Sequence, residues 1–217
     1  MMLESENKRL RAAFHEAGHA LVRWCQKGRV EDIAIADEGR RGFIIGNRGY
    51  PACLGVAMLS SIYRSGDLFV SLHDQQTRGV QYPGWEEVDA ERVQSQLQKM
   101  RAEMACSFAG VLAEWLFFDV ELDALKTTHG RRDMRDIADL AEEYAFSEPD
   151  VAVVERMVSD AEADALALLM EWRELLARLA LVVYDQGHLS GVTFEVLMIK
   201  WTSPPPERLM PEVPYAV

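Results

Sequence analysis

The feature that most constrains this chain is the run His15-Glu16-Ala17-Gly18-His19 near its start. Side chains four residues apart lie on the same face of an α-helix, so His15 and His19 can bind one zinc ion together. Glu16 then stands beside the coordination position that a water molecule would take, where a carboxylate can accept its proton. The pattern predicts a zinc site of the metallopeptidase kind, with Glu16 as general base, and it requires that the run be helical.

The residues around this run favour a helix. Gly18 in the middle costs about 1 kcal/mol of helix stability relative to alanine, which indicates that another element approaches the backbone closely there. The spacing of the apolar residues nevertheless predicts a helix over about 5–26 that ends near Gly28. Its apolar residues recur at helical spacing, at Leu10, Ala13, Phe14, Ala17, Leu21 and Trp24.

A third metal ligand must come from farther along the chain. A catalytic zinc ion normally has three protein ligands and leaves the fourth position to water. The extended pattern with a third histidine shortly after the second is absent, since Cys25 stands six residues past His19. An aspartate in a first helical turn can also serve only to stabilise the helix dipole, so the residues alone leave the choice open. The candidates are Asp133, Asp136 and Asp139, spaced by three, and Glu114 within an apolar segment.

Composition bounds the class of protein and its partners. The 217 residues, 49% of them hydrophobic, are enough for one large globular domain. A net charge of −12 argues against nucleic acid as a partner, because phosphate contacts need clustered Lys and Arg. Three widely spaced cysteines predict reduced thiols rather than disulfides. With no leader-like start and no long apolar run, we expect no membrane contact and a cytoplasmic location.

The pattern of elements predicts a mainly α fold with a small β-hairpin. We expect the hairpin strands at 30–36 and 42–46, packed beside the first helix, then a short helix at 54–63 and a strand at 68–72. His73, in a predicted loop, is expected to be solvated. Later helices are predicted at 86–118, either as one long helix or as two interrupted near Gly110, and at 131–146, 149–184 and 192–201, with Gly187 as a helix cap. We expect a single domain at 1–203 and a Pro-rich tail at 204–217.

Four segments resemble the zinc peptidase domain of the FtsH-type AAA proteases. They occur in that family's order between about positions 9 and 146. The segments are 12–22, like the catalytic helix, 30–35, like the strand after it, 108–114, like a stretch ending in Ala-Glu, and 130–141, like the stretch with the third ligand.

The resemblance implies a zincin-like FtsH-type peptidase domain whose Zn²⁺ is bound by His15, His19 and Asp133. It leaves Glu114 as an alternative ligand or as the residue that orients a ligating histidine. It also implies that the strand carrying Gly42, Phe43 and Ile44 pairs with an extended substrate.

The chain departs from that family in three ways. The segment at 47–85 is longer than the family's substrate-binding loop region and differs from it in composition. Arg131 and Arg132 replace the small or amide residues that usually precede the aspartate, and no phosphate-binding loop occurs in the sequence. We therefore expect a stand-alone peptidase domain, without the AAA ATPase or membrane segment, that hydrolyses peptides or unfolded segments. The family's hexamers make a homo-oligomer, or a separate ATPase partner, compatible with this expectation. The alternative is a non-catalytic zinc-binding interaction or adaptor module, with His129 as a fourth ligand that closes the site.

Overall fold

The computed structural model describes residues 2–37, 42–45, 48–51, 53–63, 90–145, 148 and 150–202. The predicted mainly helical fold is confirmed, and the strands form a small antiparallel sheet and a separate pair. The elements in chain order are α1 Met2–Cys25, β1 Val30–Ile35, β2 Gly42–Ile45, β3 Arg48–Pro51, β4 Gly55–Leu59, α2 Ala90–Phe117, α3 Leu122–Thr127, α4 Arg131–Ala145, α5 Val151–Glu171, α6 Arg173–Gln186, β5 His188–Ser190 and α7 Gly191–Trp201.

The strands pair differently from the predicted hairpin. Strand β1 lies between β4 and β5 in a three-stranded antiparallel sheet, where Ile33 is opposite both Ala57 and Leu189. Strand β2 pairs with β3 in a separate two-stranded sheet. The hairpin of 30–36 with 42–46 is therefore wrong, because alternation identifies a strand but not its partner.

Two other local predictions are also corrected or lie outside the described residues. The segment predicted as a helix at 54–63 contains strand β4, since a short apolar run fits either structure. The predicted strand at 68–72 and His73 lie outside the described residues.

Helices α1 and α2 pack closely against each other, as Gly18 predicted. A Cβ atom at Gly18 would lie 2.5 Å from the carbonyl oxygen of Ala109 and 2.7 Å from the Cβ of Ala113. Of the two alternatives for 86–118, the single long helix is confirmed, because α2 runs unbroken through Gly110. The helix predicted at 149–184 is in fact two helices, which meet at Trp172.

Helix ends follow local sequence signals. Gly187 adopts a φ of 72° after α6, which is the cap expected there. Asp150 and Ser190 accept backbone N–H groups at the starts of α5 and α7. The helix predicted at 192–201 is therefore confirmed as α7, one residue longer at its start.

The core lies between α1, α2 and the helices that follow. Its largest fully buried side chains are Phe194, Leu21, Ile33, Met100, Met104, Leu112, Leu125, Leu169, Leu176, Leu179 and Leu189. The three cysteines are free thiols, as expected. Within the described part of the chain, every helix is too short or too polar to cross a bilayer. The predicted tail at 204–217 lies outside the described residues.

Candidate metal centre

His15 and His19 lie one turn apart on α1 and face Asp133 of α4. Their Nε2 atoms are 3.1 Å apart. Asp133 approaches both, with 3.2 Å from Oδ2 to Nε2 of His15 and 3.7 Å from Oδ1 to Nε2 of His19. Among the described residues, these three form the group whose ligand atoms converge well enough to hold a metal ion.

The hydrogen bonds of the other ring nitrogens determine which nitrogens are free to bind a metal. Nδ1 of His19 lies 2.7 Å from the carbonyl oxygen of Cys106, which can only accept, so this Nδ1 carries the hydrogen. Nδ1 of His15 lies 2.9 Å from Oε1 of Glu114. Burial opposes ionisation of Glu114, but hydrogen bonds from His129 and His15 outweigh it and lower its pKa to about 2. Glu114 is therefore an acceptor, and both Nε2 atoms present lone pairs when the rings are neutral.

Two lone pairs 3.1 Å apart beside a carboxylate are unfavourable without a positive charge between them. Burial lowers the pKa of His15, yet the hydrogen bonds to Asp133 and Glu114 raise it to about 9. The cluster thus attracts positive charge strongly, in the form of protons or of a cation. Two imidazole nitrogens and one carboxylate oxygen are a donor set that suits zinc and leaves a fourth position open.

Gly110 of α2 provides the space that the histidine rings occupy. A Cβ atom there would lie 2.4 Å from Nε2 of His19 and 2.6 Å from Nε2 of His15. This close approach explains why a glycine stands in the middle of an unbroken helix. The sequence pattern had left a helix break at the same residue as one of two alternatives.

Glu16 lies next to the histidine pair and is only 8% exposed. Burial raises its pKa, and this effect outweighs the favourable charges of His15 and His19. Gly55 of β4 lies directly against it, since a Cβ there would be 2.6 Å from Oε1 of Glu16. A carboxylate with a raised pKa beside a candidate metal site can both accept and return a proton near neutral pH.

A cleft of about 480 Å³ contains the three candidate ligands, Glu16 and one side of strand β4. The N–H of Ala36 donates to the carbonyl of Leu54 at 2.8 Å, which sets the alternation of β4 against β1. In an antiparallel ladder, the backbone groups of Gly55, Ala57 and Leu59 then point away from β1. Among the strands that the structure describes, β4 is at the edge of its sheet, so these groups line the cleft.

The structure separates the other predicted residues by role. Asp136 and Asp139 are exposed, whereas Asp133 faces the histidines. Glu114 contacts His15 at Nδ1, the ring nitrogen that does not face Asp133. Nδ1 of His129 lies 3.0 Å from the same carboxylate.

The residues predicted to bind substrate lie elsewhere. Gly42, Phe43 and Ile44 belong to β2, and the described lining of the cleft comes from β4 and the helices instead. Their role as a substrate strand stays a prediction. Gly42 does lie close to the start of β4, since its N–H donates to the carbonyl of Cys53 at 2.9 Å.

Sequence reasoning missed several residues that build the site. Gly55, Gly110, Arg11 and Cys106 contribute space, a charge and a carbonyl group rather than ligand atoms. Only the glycines had a sequence signal, since a glycine within a regular element can indicate close approach. No protein-family model matches this chain, and no curated protein matches it either.

Proposed function

We propose that this protein is a zinc metallopeptidase resembling the FtsH-type peptidase domain. His15, His19 and Asp133 bind the metal, and Glu16 is the general base. The observation that carries the proposal is the convergence of two Nε2 lone pairs and one carboxylate beside the buried carboxyl group of Glu16. Zinc is the metal that this donor set favours, and when bound it would polarise the scissile carbonyl and acidify a coordinated water.

The chain's own residues supply the proton transfers and the orientation of the ligands. Glu16 accepts a proton from the attacking water and returns it to the leaving amine. Glu114 and the carbonyl of Cys106 hold the Nδ1–H groups of His15 and His19, so each ring presents Nε2 to the metal. Burial keeps the pKa of Glu16 raised, which makes its carboxylate a stronger base toward the attacking water.

The edge of β4 supports a peptide as the substrate. The outward-pointing N–H and C=O groups of Gly55 and Leu59 can pair with an extended chain, in the manner of strand addition, and so can the C=O of Ala57. The N–H of Ala57 instead donates to the carboxylate of Glu16. Gly55 brings that edge directly against Glu16, so a paired peptide would lie beside the reacting groups. Pairing through backbone atoms needs an extended substrate, so we propose peptides and unfolded segments as the substrate class.

Substitution of Glu16 by Gln tests this proposal. We expect zinc content to stay near one per chain and peptide hydrolysis to fall by a factor of about 10² to 10⁴, because only the base is removed. Zinc is measured by elemental mass spectrometry, and hydrolysis with a quenched-fluorescent peptide mixture. Glu195→Gln, at an exposed position on α7, is the matched control and should behave as the wild type. An undiminished rate in Glu16→Gln would refute the assignment.

Substitution of Asp133 by Ala tests the ligand set. We expect zinc content to fall sharply, because two histidines alone form an incomplete site. Retention of zinc in Asp133→Ala would move the third ligand to another residue. Zinc in the wild type without hydrolysis of any peptide would favour the non-catalytic module. A closed site with His129 as fourth ligand has less support, since the ligand atoms that converge belong to His15, His19 and Asp133 and not to His129.

A further inference from the structure

The carboxylate of Glu114 on α2 is held by groups from two other parts of the fold. It is 1% exposed and accepts from Nδ1 of His15 at 2.9 Å and from Arg11, also on α1, at 2.9 Å. Nδ1 of His129 lies 3.0 Å from Oε2 and 3.3 Å from Oε1 of the same carboxylate. His129 belongs to the turn between α3 and α4, so this one carboxylate joins α1, α2 and the approach to α4.

The proton positions of this cluster follow from the charge of Glu114. An ionised carboxylate can only accept, so Nδ1 of His129 must carry a hydrogen and donate it. Nη2 of Arg11 lies 3.2 Å from that nitrogen, which places two donors side by side on one acceptor. His129 is therefore connected to the metal centre indirectly: its Nδ1–H donates to Glu114, and Glu114 accepts from His15.

The turn that carries His129 also leads directly into the helix of Asp133. Gly130 packs against α2 so closely that a Cβ there would lie 2.0 Å from Cγ1 of Val111. The N–H of Gly130 donates to the carbonyl of Leu125 at 3.0 Å. The start of α4 is thus fastened to α2 at two adjacent residues, by the packing of Gly130 and by the bond from His129 to Glu114.

We propose that His129 is a positioning residue for the metal centre. Its hydrogen bond holds the Glu114 carboxylate so that Oε1 receives the Nδ1–H of His15, and this directs Nε2 of His15 to the metal. The same bond fixes the turn from which α4 delivers Asp133. This inference rests on the proposed metal site but not on peptide hydrolysis. A third of the His129 side chain is exposed, 34%, so its role is not that of a core residue.

The test compares His129→Ala with His129→Asn in the full chain. Zinc affinity is measured by competition with a chromophoric chelator, and ligand geometry by the visible absorption bands of the Co²⁺-substituted protein. We expect His129→Ala to weaken zinc binding about 10- to 100-fold and to shift the cobalt bands. The amide N–H of asparagine can replace the Nδ1–H, so His129→Asn should recover most of the affinity and the wild-type spectrum.

A matched control and a double variant separate this role from a general effect. His188→Ala removes a half-exposed histidine that bonds to Asp32 on the sheet and should leave zinc binding unchanged. In a Glu114→Gln background, His129→Ala should add little further loss, since the route through Glu114 is already broken. Thermal unfolding of the metal-free variants checks that each remains folded.

Three results would overturn the proposal. The first is wild-type affinity and cobalt spectrum in His129→Ala. The second is a loss in His129→Asn as large as in His129→Ala, because the donor would then be irrelevant. The third is full additivity with Glu114→Gln. If the wild type binds zinc and any of these three results is found, only the positioning role of His129 is refuted. If the wild type binds no zinc, the proposed function is refuted as well.

Discussion

A single methyl group at position 110 would occupy the space of both histidine rings, since it would lie 2.4 and 2.6 Å from their Nε2 atoms. We therefore expect Gly110→Ala to weaken zinc binding at least tenfold, by analogy with other changes that displace metal ligands. Alanine is favoured over glycine in a helix by about 1 kcal/mol, so the metal-free protein should stay folded. Chelator competition measures the affinity, and circular dichroism follows unfolding.

The control for this substitution is Gly49→Ala in β3. Nothing lies within 4 Å of the Cβ that it would add, so zinc binding should not change. Wild-type zinc affinity in Gly110→Ala would contradict the view that this glycine makes room for the ligands.

Sequence patterns identify single residues well when their chemistry depends on local spacing. His15, Glu16 and His19 follow from one helical turn, and Gly18 correctly predicted a close approach of another helix. The role of Gly110 stayed open because a glycine within a helix can mean either a break or a close contact, and only the packed structure distinguishes the two. The bond from His129 to Glu114 could not be predicted, since it joins a turn to a different helix.

At the scale of elements, the carboxylate of Glu103 on α2 holds the chain segment that follows β4. It is paired with Arg23 of α1 and accepts from the hydroxyl of Ser61 and from the N–H groups of Ile62 and Tyr63. Strand β4 thereby keeps a fixed end beside the cleft. Burial alone would raise the pKa of Glu103, but the hydrogen bond and charge of Arg23 outweigh burial and lower it.

We expect Glu103→Gln to lower the free energy of unfolding at neutral pH by about 2 kcal/mol, because charged hydrogen bonds are lost. A lowered folded pKa contributes stability that is present above the unfolded value, about 4.3, and is lost as pH falls through the folded value. The difference between wild type and variant should therefore shrink as pH falls below about 4.3. Urea unfolding at a series of pH values measures it.

Glu91→Gln, an exposed position on the same helix, provides the comparison and should follow the wild type at each pH. A stability difference for Glu103→Gln that stays constant from neutral to acid pH would show that ionisation of this carboxylate does not stabilise the end of β4.

Elements were predicted well where the pattern is local and poorly where it depends on a distant partner. Helices α1 and α4 and the cap at Gly187 match their predicted positions closely. Strand β1 was also recognised, but its partners come from 55–59 and 188–190, which no local pattern indicates. The break between α5 and α6 was missed because apolar spacing continues across Trp172.

At the scale of the whole molecule, α1 is the central element and the candidate metal centre lies on the side of α1 that lines the cleft. This helix packs against α2, α6, β1 and β4. It therefore connects the sheet to the helical part of the chain. The candidate ligands His15 and His19 come from α1, and Asp133 comes from α4, far along the sequence. A bound metal would link these two helices directly.

A ligand that binds only the folded state stabilises it by mass action, about 2.7 kcal/mol at a concentration one hundred times its dissociation constant. For a chain of this size each kcal/mol raises Tm by about 2–4 °C, so zinc should raise Tm by roughly 5–10 °C over the chelator-treated protein. In Asp133→Ala the increase should nearly vanish, because the link from α1 to α4 is removed. Differential scanning calorimetry with and without zinc measures both. An equal rise in wild type and variant would mean that zinc stabilises the fold from a site without Asp133, and the two helices would then be held together by packing alone.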